Sequence, residues 1–281
     1  MSRDTQDDEP RRTETETDMG TATDSEPRPD SKPRILIPVE LPESQEIPTS
    51  LVEFLSPLGI LILGYYELPE QTASEQARDQ FGDESQDTLE AIVEGFSEYA
   101  EDVESTLVFT HDSTQTVERV ADDEDCDVVL VPENTEKVER ILVPVRGDVN
   151  FDSIADVVGS IVNQHTTVVK LVHVAEDGEG SGDLLLRGGS EKLTDEGIDP
   201  SLIETEVAES DDPVGEITEF AKNYDVVVMG ETEPSIKSIL MGEVPERVSE
   251  KVGVPVLLVR HRDERPDTSQ SDNESPDHRD D

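Results

Sequence analysis

The sequence predicts an α/β fold made of two tandem, open parallel-sheet units, the first of them truncated, flanked by disordered acidic tails. Short apolar runs typical of buried strands alternate with stretches of helical periodicity, which favours parallel pairing and right-handed crossovers. Two of these runs occur twice, because 34–40 is nearly repeated at 140–146 and 127–131 at 225–229. We therefore divide the chain into an acidic arm at 1–33, a first unit at 34–137, a second unit at 138–262 and an acidic tail at 263–281.

Both predicted tails lack the residues that build a core. Residues 1–33 contain no Val, Ile, Leu or aromatic residue, and 263–281 read the same way. Segments of this composition bury too little apolar surface to offset the entropy lost on ordering. We therefore expect both to be disordered.

The first unit opens abruptly with the apolar run Arg34-Ile-Leu-Ile-Pro-Val-Glu40. Leu89, Ile92 and Phe96 recur at helical spacing, which predicts an amphipathic helix over about 83–102. Applied along the unit, the same reasoning predicts strands at 34–40, 59–66, 106–110 and 127–131, and helices at 50–55, 83–102 and 114–121.

The second unit continues past the point where the first one stops. Its predicted strands are 140–146, 167–174, 204–207, 225–229 and 254–259, and its predicted helices are 152–163, 190–196, 213–223 and one that follows Gly242. The Gly-rich stretch 178–189 is predicted to be a mobile loop. After Val131 only the eight residues 132–139 precede the next strand, so the first unit lacks a final helix and strand. Such a short connection requires the two units to pack side by side.

The charge of the chain is extreme, with 69 acidic against 22 basic residues and a net charge of −47. Either the acid is concentrated in the tails, or the whole surface is acidic, as in a salt-rich cytoplasm. Acidic residues also stud the body, for example over 84–104 and 204–212, which favours a halophilic protein that unfolds below about 0.5 M salt. Nucleic acid is not an expected partner, because phosphate contacts need Lys and Arg.

Few residues suggest catalysis, metal binding or export. Cys126 is the single cysteine, so no intramolecular disulfide is expected, and the five histidines show no ligand spacing. His173 alternates with valines and is predicted to be an ordinary strand residue. No catalytic triad or Walker loop is present, so we predict a protein that is not an enzyme. No apolar stretch spans a membrane and no signal peptide is evident, which predicts a cytoplasmic protein.

Three motifs resemble the universal stress protein family. They are Ile-Leu-Val-Pro-Val at 141–145, Asp-Val-Val-Val-Met-Gly at 225–230 and Val-Pro-Val-Leu-Leu-Val-Arg at 254–260, and the order of elements over 34–260 agrees with them. The resemblance implies an open five-stranded parallel sheet of the adenine nucleotide alpha hydrolase-like type. It also implies ATP as a ligand, since many members bind it through a loop that reads Gly, two residues, Gly, nine residues, then Gly-Ser or Gly-Thr.

The residues that the resemblance assigns to nucleotide binding are Pro144, Val145, Gly230, Gly242, Glu243 and Val244. The loop departs from the family pattern, because Glu233 stands at the second Gly, Glu243 replaces the hydroxyl residue and the spacing is one residue short. Side chains there obstruct the approach of phosphate, and carboxylates repel it. The nearby cations are Lys237 and Arg247.

The first unit departs further from the family. Pro132 occupies the position of Gly230, and the remainder of the loop is missing. The Asp that follows the first strand in the family is Glu40 in one unit and Arg146 in the other. The resemblance therefore implies one degenerate ATP pocket at most, in the second unit.

These features predict a stress-response or regulatory binding protein. The alternative is an interaction protein that does not bind nucleotide and acts through dimerisation or as an accessory regulator of a membrane transporter. In that case the strand at 254–259 would pair with its equivalent in another chain, since the first unit lacks this strand, and the protein would be a homodimer.

Overall fold

Nine strands form one sheet in the computed structural model, which describes residues 32–42, 47–147, 151–162, 166–175, 182–231 and 253–260. The strands are β1 (Arg34–Glu40), β2 (Gly59–Glu67), β3 (Val103–Thr110), β4 (Val128–Val131), β5 (Arg140–Pro144), β6 (Val168–Ala175), β7 (Ile203–Glu209), β8 (Val226–Gly230) and β9 (Val256–Val259). The helices are α1 (Thr49–Leu55), α2 (Ser74–Ser97), α3 (Ser113–Asp123), α4 (Phe151–Val162), α5 (Gly182–Asp195) and α6 (Pro213–Ala221), with a 3-10 turn at Pro200–Leu202. The predicted α/β class is confirmed.

The strand order across the sheet is β3-β2-β1-β4-β9-β8-β5-β6-β7. The first four positions come from the first half of the chain and the last five from the second half. All neighbours are parallel except β4 and β9, which are antiparallel. Each half therefore has its first strand inside the sheet, with the second and third strands on one side and the fourth on the other.

The junction between the halves is the β4–β9 pair. Val128 lies opposite Val259, and Val131 lies opposite Val256. The other edge of β9 pairs with β8, so both of its hydrogen-bonding edges are used within this chain. Within this chain β4 thus occupies the edge of β9 that the predicted pairing with a second chain would use. A homodimer as such stays a prediction.

One carboxylate fastens the first strand to the fourth in each half. The backbone N–H of Arg34 donates to Oδ2 of Asp127 at 2.7 Å. In the second half the N–H groups of Glu139 and Arg140 donate to Oδ2 of Asp225 at 2.8 and 2.9 Å. The same residue type thus makes the same contact at equivalent places. The domain limits 34–137 and 138–262 themselves stay a prediction.

The largest core cluster extends across both halves on one face of the sheet. It joins buried side chains of α1, α2, α4 and α5 to those of seven strands, including Leu130 of β4 and Leu257 of β9. On the opposite face α3 and α6 cover separate clusters, one in each half. Apolar runs that are buried on both faces explain why the strands read as continuous Val, Ile and Leu. The β4–β9 junction is thus part of a shared core.

Two helices differ from their predicted bounds by more than two residues. The structure places α2 at Ser74–Ser97 instead of 83–102. It places α5 at Gly182–Asp195, so the predicted mobile loop is wrong for 182–189. Gly189 explains the error, since a Cβ there would lie 3.1 Å from Phe151 and 3.2 Å from Leu171: here glycine permits close packing within a helix. The predicted helix after Gly242, residues 1–31 of the predicted arm and the predicted tail at 263–281 lie outside the described residues.

Candidate functional site

The candidate site lies at the carboxyl ends of β5 and β8. β5 pairs with β6 on one side and with β8 on the other, so the strand order reverses direction here. In open α/β sheets ligands bind at such a switch point. Ile141 pairs with Val226 and Leu142 with Val227, and the same register brings Val145 level with Gly230. Two of the predicted site positions therefore lie side by side.

Pro144 and Val145 belong to the interior of this edge. Both are buried, and Val145 is only 5% exposed. The Val145 N–H donates to the Val172 carbonyl at 2.8 Å. The Val145 carbonyl accepts a hydrogen bond from Nδ1 of His173 at 2.9 Å, because an oxygen of this kind has no proton to donate. Both backbone groups of Val145 thus make hydrogen bonds within the protein, and its side chain belongs to the core.

His173 is more than the ordinary strand residue that was predicted. Its side chain is 5% exposed, and its Nε2 has no hydrogen-bond partner among the described residues. A Cβ added to Gly182, the first residue of α5, would lie 2.7 Å from its Cδ2. His173 therefore joins the end of β5 to the start of α5. The sequence contained a signal for this role, because His173 lies on the same apolar strand face as Val169 and Leu171. A polar group buried on such a face needs a hydrogen-bond partner.

Gly230 ends β8 and is half-buried, and Glu231 continues the ladder by donating its N–H to the Val259 carbonyl at 2.8 Å. Three of the predicted site residues, Gly242, Glu243 and Val244, lie outside the described residues. The same holds for Glu233, Lys237 and Arg247. The structure therefore places together Pro144, Val145 and Gly230.

Charges at this edge are unevenly distributed. Arg146 lies two residues after the end of β5, is exposed, and makes no hydrogen bond or ion pair with the residues that the structure describes. Glu231 stands at the end of β8. Asp212, which precedes α6, accepts a hydrogen bond from the Gly215 N–H at 3.0 Å and caps that helix. The exposed cation beside β5 makes that side of the crevice the better place for an anionic group.

The corresponding edge of the first half is built differently. After β4 the connection to β5 passes over α1, where the Ser50 hydroxyl donates to the Thr135 carbonyl at 3.0 Å. An open depression of about 490 Å³ remains between them, lined by Pro48, Thr49, Ser50, Asn134, Thr135 and Glu136. At the carboxyl ends of β1 and β2, burial raises the pKa of Tyr65, and the carboxylates of Glu40 and Glu67 raise it further. Among the described residues, the carboxyl edge of the first half thus carries carboxylates but no adjacent exposed arginine.

Arg260 contacts the first half rather than the candidate site. Its N–H donates to the Asp127 carbonyl at 2.8 Å, and its guanidinium contacts the Asp122 carboxylate and the Cys126 carbonyl. Its side chain is 14% exposed. The sequence carries no signal for this contact, which depends on the β4–β9 pairing.

Other chemistry is limited in the described part of the chain. No group of three or more His, Cys, Asp or Glu there could hold a metal ion. None of the described helices is long and apolar enough to cross a membrane. Cys126 is buried as predicted, and burial raises the pKa of its thiol to about 12 although Arg34 and Arg260 act to lower it. A thiol of this kind stays protonated and unreactive.

Comparison with known proteins gives one family match. Residues 137–260 match the model of the Universal stress protein family. No curated protein matches the chain. Among solved structures, the chain is similar to a universal stress protein from Archaeoglobus fulgidus DSM 4304, with a TM-score of 0.61 and 16% identity, covering 84% of this chain and 98% of that one.

Two other similar structures contain nucleotides. One is the universal stress protein from Archaeoglobus fulgidus in complex with dAMP, with 18% identity, a TM-score of 0.35 and coverage of 43% of this chain and 97% of that one. The other is a universal stress protein family protein from Arabidopsis thaliana with AMP bound, with 19% identity, a TM-score of 0.34 and coverage of 48% and 97%.

The family match and the fold agree on the second half. The matched segment begins just before β5 and ends just after β9, so it contains every described part of the candidate site. Residues 137–260 are therefore similar in sequence to the Universal stress protein family. The chain shares the fold of the universal stress protein from Archaeoglobus fulgidus DSM 4304.

Proposed function

We propose that this chain is a stress-response or regulatory binding protein of the universal stress type, with one adenine nucleotide site at the carboxyl ends of β5 and β8. The observation that carries the proposal is the position of Gly230 level with Val145 at the switch point of the family-matched half. A glycine at a strand exit lets a ligand approach the backbone closely. The ligand class follows from the family resemblance, since many members bind ATP.

The charges favour weak binding in one orientation. Arg146 supplies an exposed cation beside β5, whereas Glu231 supplies an anion beside β8. A phosphate group gains most next to a guanidinium, which donates two hydrogen bonds in parallel. The proposed nucleotide therefore places its phosphate toward Arg146. Binding, without turnover, is the proposed activity, and the acidic surface is proposed to suit a salt-rich cytoplasm.

Titration calorimetry of ATP with Mg²⁺ in molar KCl tests this function. We expect a single weak site per chain, and Arg146→Gln should lower the affinity about tenfold or more because a charge-assisted hydrogen bond is lost. Arg119→Gln is the matched control, since Arg119 is also an exposed arginine but pairs with Asp123 on α3. Release of phosphate from ATP is measured in parallel, and none is expected.

Absence of heat from any adenine nucleotide would refute the nucleotide site. Binding that Arg146→Gln and Arg119→Gln leave equally strong would place the nucleotide elsewhere on the chain.

An interaction role is the second candidate. It is favoured by the sheet itself, which ends in β3 on one side and β7 on the other. A homodimer or a contact with a transporter would have to use a surface other than β9, whose two edges are occupied. Sedimentation of the full chain in molar KCl distinguishes a monomer from a dimer.

A further inference from the structure

β7 is the more exposed of the two ends of the described sheet. It pairs with β6 along one edge, and no described strand lies along the other. Five of its seven residues are exposed, whereas the side chains of β3 at the opposite end are mostly half-buried or buried. An edge strand of this kind presents unpaired N–H and C=O groups that can bind another strand.

Apolar side chains accompany this edge. Three large hydrophobic residues are exposed in the described part of the chain, and two of them, Leu184 on α5 and Val207 on β7, belong to this end of the sheet. Val207 is 39% and Leu184 65% exposed. Between α5 and β7 runs a shallow groove of about 250 Å³, and Asp183 and Arg187 lie in its wall together with Val207. The edge therefore combines free backbone groups with an apolar contact area.

The opposite face of β7 carries acid. Glu204 and Glu206 flank Lys170 of β6, whose Nζ lies 3.7 and 2.9 Å from their respective Oε2 atoms. The two glutamates are about half exposed, whereas the lysine side chain is only 12% exposed. One buried lysine thus serves two carboxylates, and a negative charge remains at the solvent side of the strand.

This pattern disfavours a second copy of the chain. An antiparallel β7–β7 pair would bring Glu204 and Glu206 of both chains onto one face, and like charges on neighbouring strands repel. In molar salt the Debye length is only about 3 Å, so direct contacts, and not the overall charge of the chain, determine which strand can pair with β7. A strand with lysine or arginine at these contacts is the complementary one.

We propose that β7 is a docking strand for an extended segment of a basic partner protein, which adds to the sheet beside it. Side chains alternate between the two faces of a strand. The bound segment would therefore place Lys or Arg at every second position, next to Glu204 and Glu206, and small apolar residues at the intervening positions, next to Val207. Main-chain hydrogen bonds between β7 and the segment supply affinity, and the alternation of basic and apolar side chains supplies specificity.

Two synthetic heptapeptides test the proposal with the full chain. One alternates Lys-Val-Lys-Val-Lys-Val-Lys, and the other has the same composition in blocks, four lysines followed by three valines. Fluorescence anisotropy of labelled peptides, in dilute and in molar KCl, measures binding. We expect the alternating peptide to bind about tenfold more tightly than the block peptide, because only alternation satisfies both faces at once.

Variants locate the bound peptide. Glu206→Lys should abolish the preference for the alternating peptide, whereas Glu104→Lys, an exposed glutamate of the opposite edge strand β3, should leave it unchanged. Hydrogen exchange should show new protection at alternate amides of β7 when the peptide is bound. Circular dichroism checks that both variants are folded.

Three results would overturn the proposal. Equal binding of the two peptides would show a general attraction between basic peptides and an acidic protein. Equal loss of binding in Glu206→Lys and Glu104→Lys would place the peptide elsewhere. A dimer of the free protein that dissociates in Glu206→Lys would make a second copy the occupant.

Discussion

The two halves of the sheet share a strand order but differ at their carboxyl edges. In the first half the connection after β4 is fixed over α1 by the Ser50 to Thr135 hydrogen bond. In the second half β8 ends in Gly230 beside Val145, with Arg146 exposed next to them. The cores of both halves are built from the same types of residue. The comparison shows that two sets of four strands with the same order can end in different connections at their carboxyl edges.

The largest effect is expected from substitutions at the β4–β9 junction, where the two halves join. Leu130 of β4 lies opposite Leu257 of β9, and both are fully buried. We expect Leu130→Ala and Leu257→Ala each to lower the free energy of unfolding by about 2–5 kcal/mol, because each leaves a cavity in the shared core. Chemical denaturation followed by circular dichroism measures these values.

The double variant decides whether the halves are one cooperative unit. A shared cavity should make its loss differ from the sum of the single losses by about 0.5–3 kcal/mol, with a single transition throughout. Strict additivity together with two separate transitions would show that the halves unfold independently.

Asp127 and Asp225 test the likeness of the two halves. Each accepts backbone hydrogen bonds at the start of the first strand of its half. Asp127→Ala and Asp225→Ala should each cost about 1–3 kcal/mol, since N–H groups lose a charged acceptor. Asp123→Ala is the control, because Asp123 is exposed and pairs with Arg119 on one helix turn. If only one of the two carboxylates matters, the equivalence of the halves fails.

The smallest expected change in stability comes from Cys126, and it appears only at alkaline pH. Burial raises the pKa of the thiol from 9.0 to about 12, so the folded state holds its proton more tightly than the unfolded state does. Stability from this group is complete below pH 9 and is lost as pH rises toward 12. At pH 10 the loss is about 1.4 kcal/mol relative to Cys126→Ala. Denaturation curves of both proteins at neutral and alkaline pH measure it, and parallel curves at all pH values would contradict it.

Much of the fold could be predicted from local pattern. Apolar runs identify the inner strands β1, β4, β5 and β8, because strands buried on both faces consist of Val, Ile and Leu, whereas the edge strands β3 and β7 carry many polar residues. The helix α5 was missed at its start because Gly188 and Gly189 favour a loop by propensity, whereas packing of Gly189 against Phe151 and Leu171 decides the outcome. The pairing of β9 with β4 could not be predicted, because the choice of strand partner depends on tertiary contacts. The residues of the two strands do not by themselves indicate which strands will pair.

The candidate site was predictable where it coincides with strand ends. Pro144, Val145 and Gly230 follow apolar runs, and parallel pairing brings such ends together. The hydrogen bond from His173 to the Val145 carbonyl joins residues from two strands, and strand alternation predicts its face but not its partner. The role of Arg260 depends on the antiparallel junction and was missed with it.

The pairing of β4 with β9 also has a consequence for biosynthesis. Arg260, which follows β9, contacts the carbonyl of Cys126 across 134 residues of sequence. At typical translation rates, roughly 7–27 s separate the emergence of these two residues from a ribosome. During that interval the sheet of the first half has no partner for the outer edge of β4. A nascent chain in this state exposes an unpaired strand edge, and such an edge can pair with the strand of another chain.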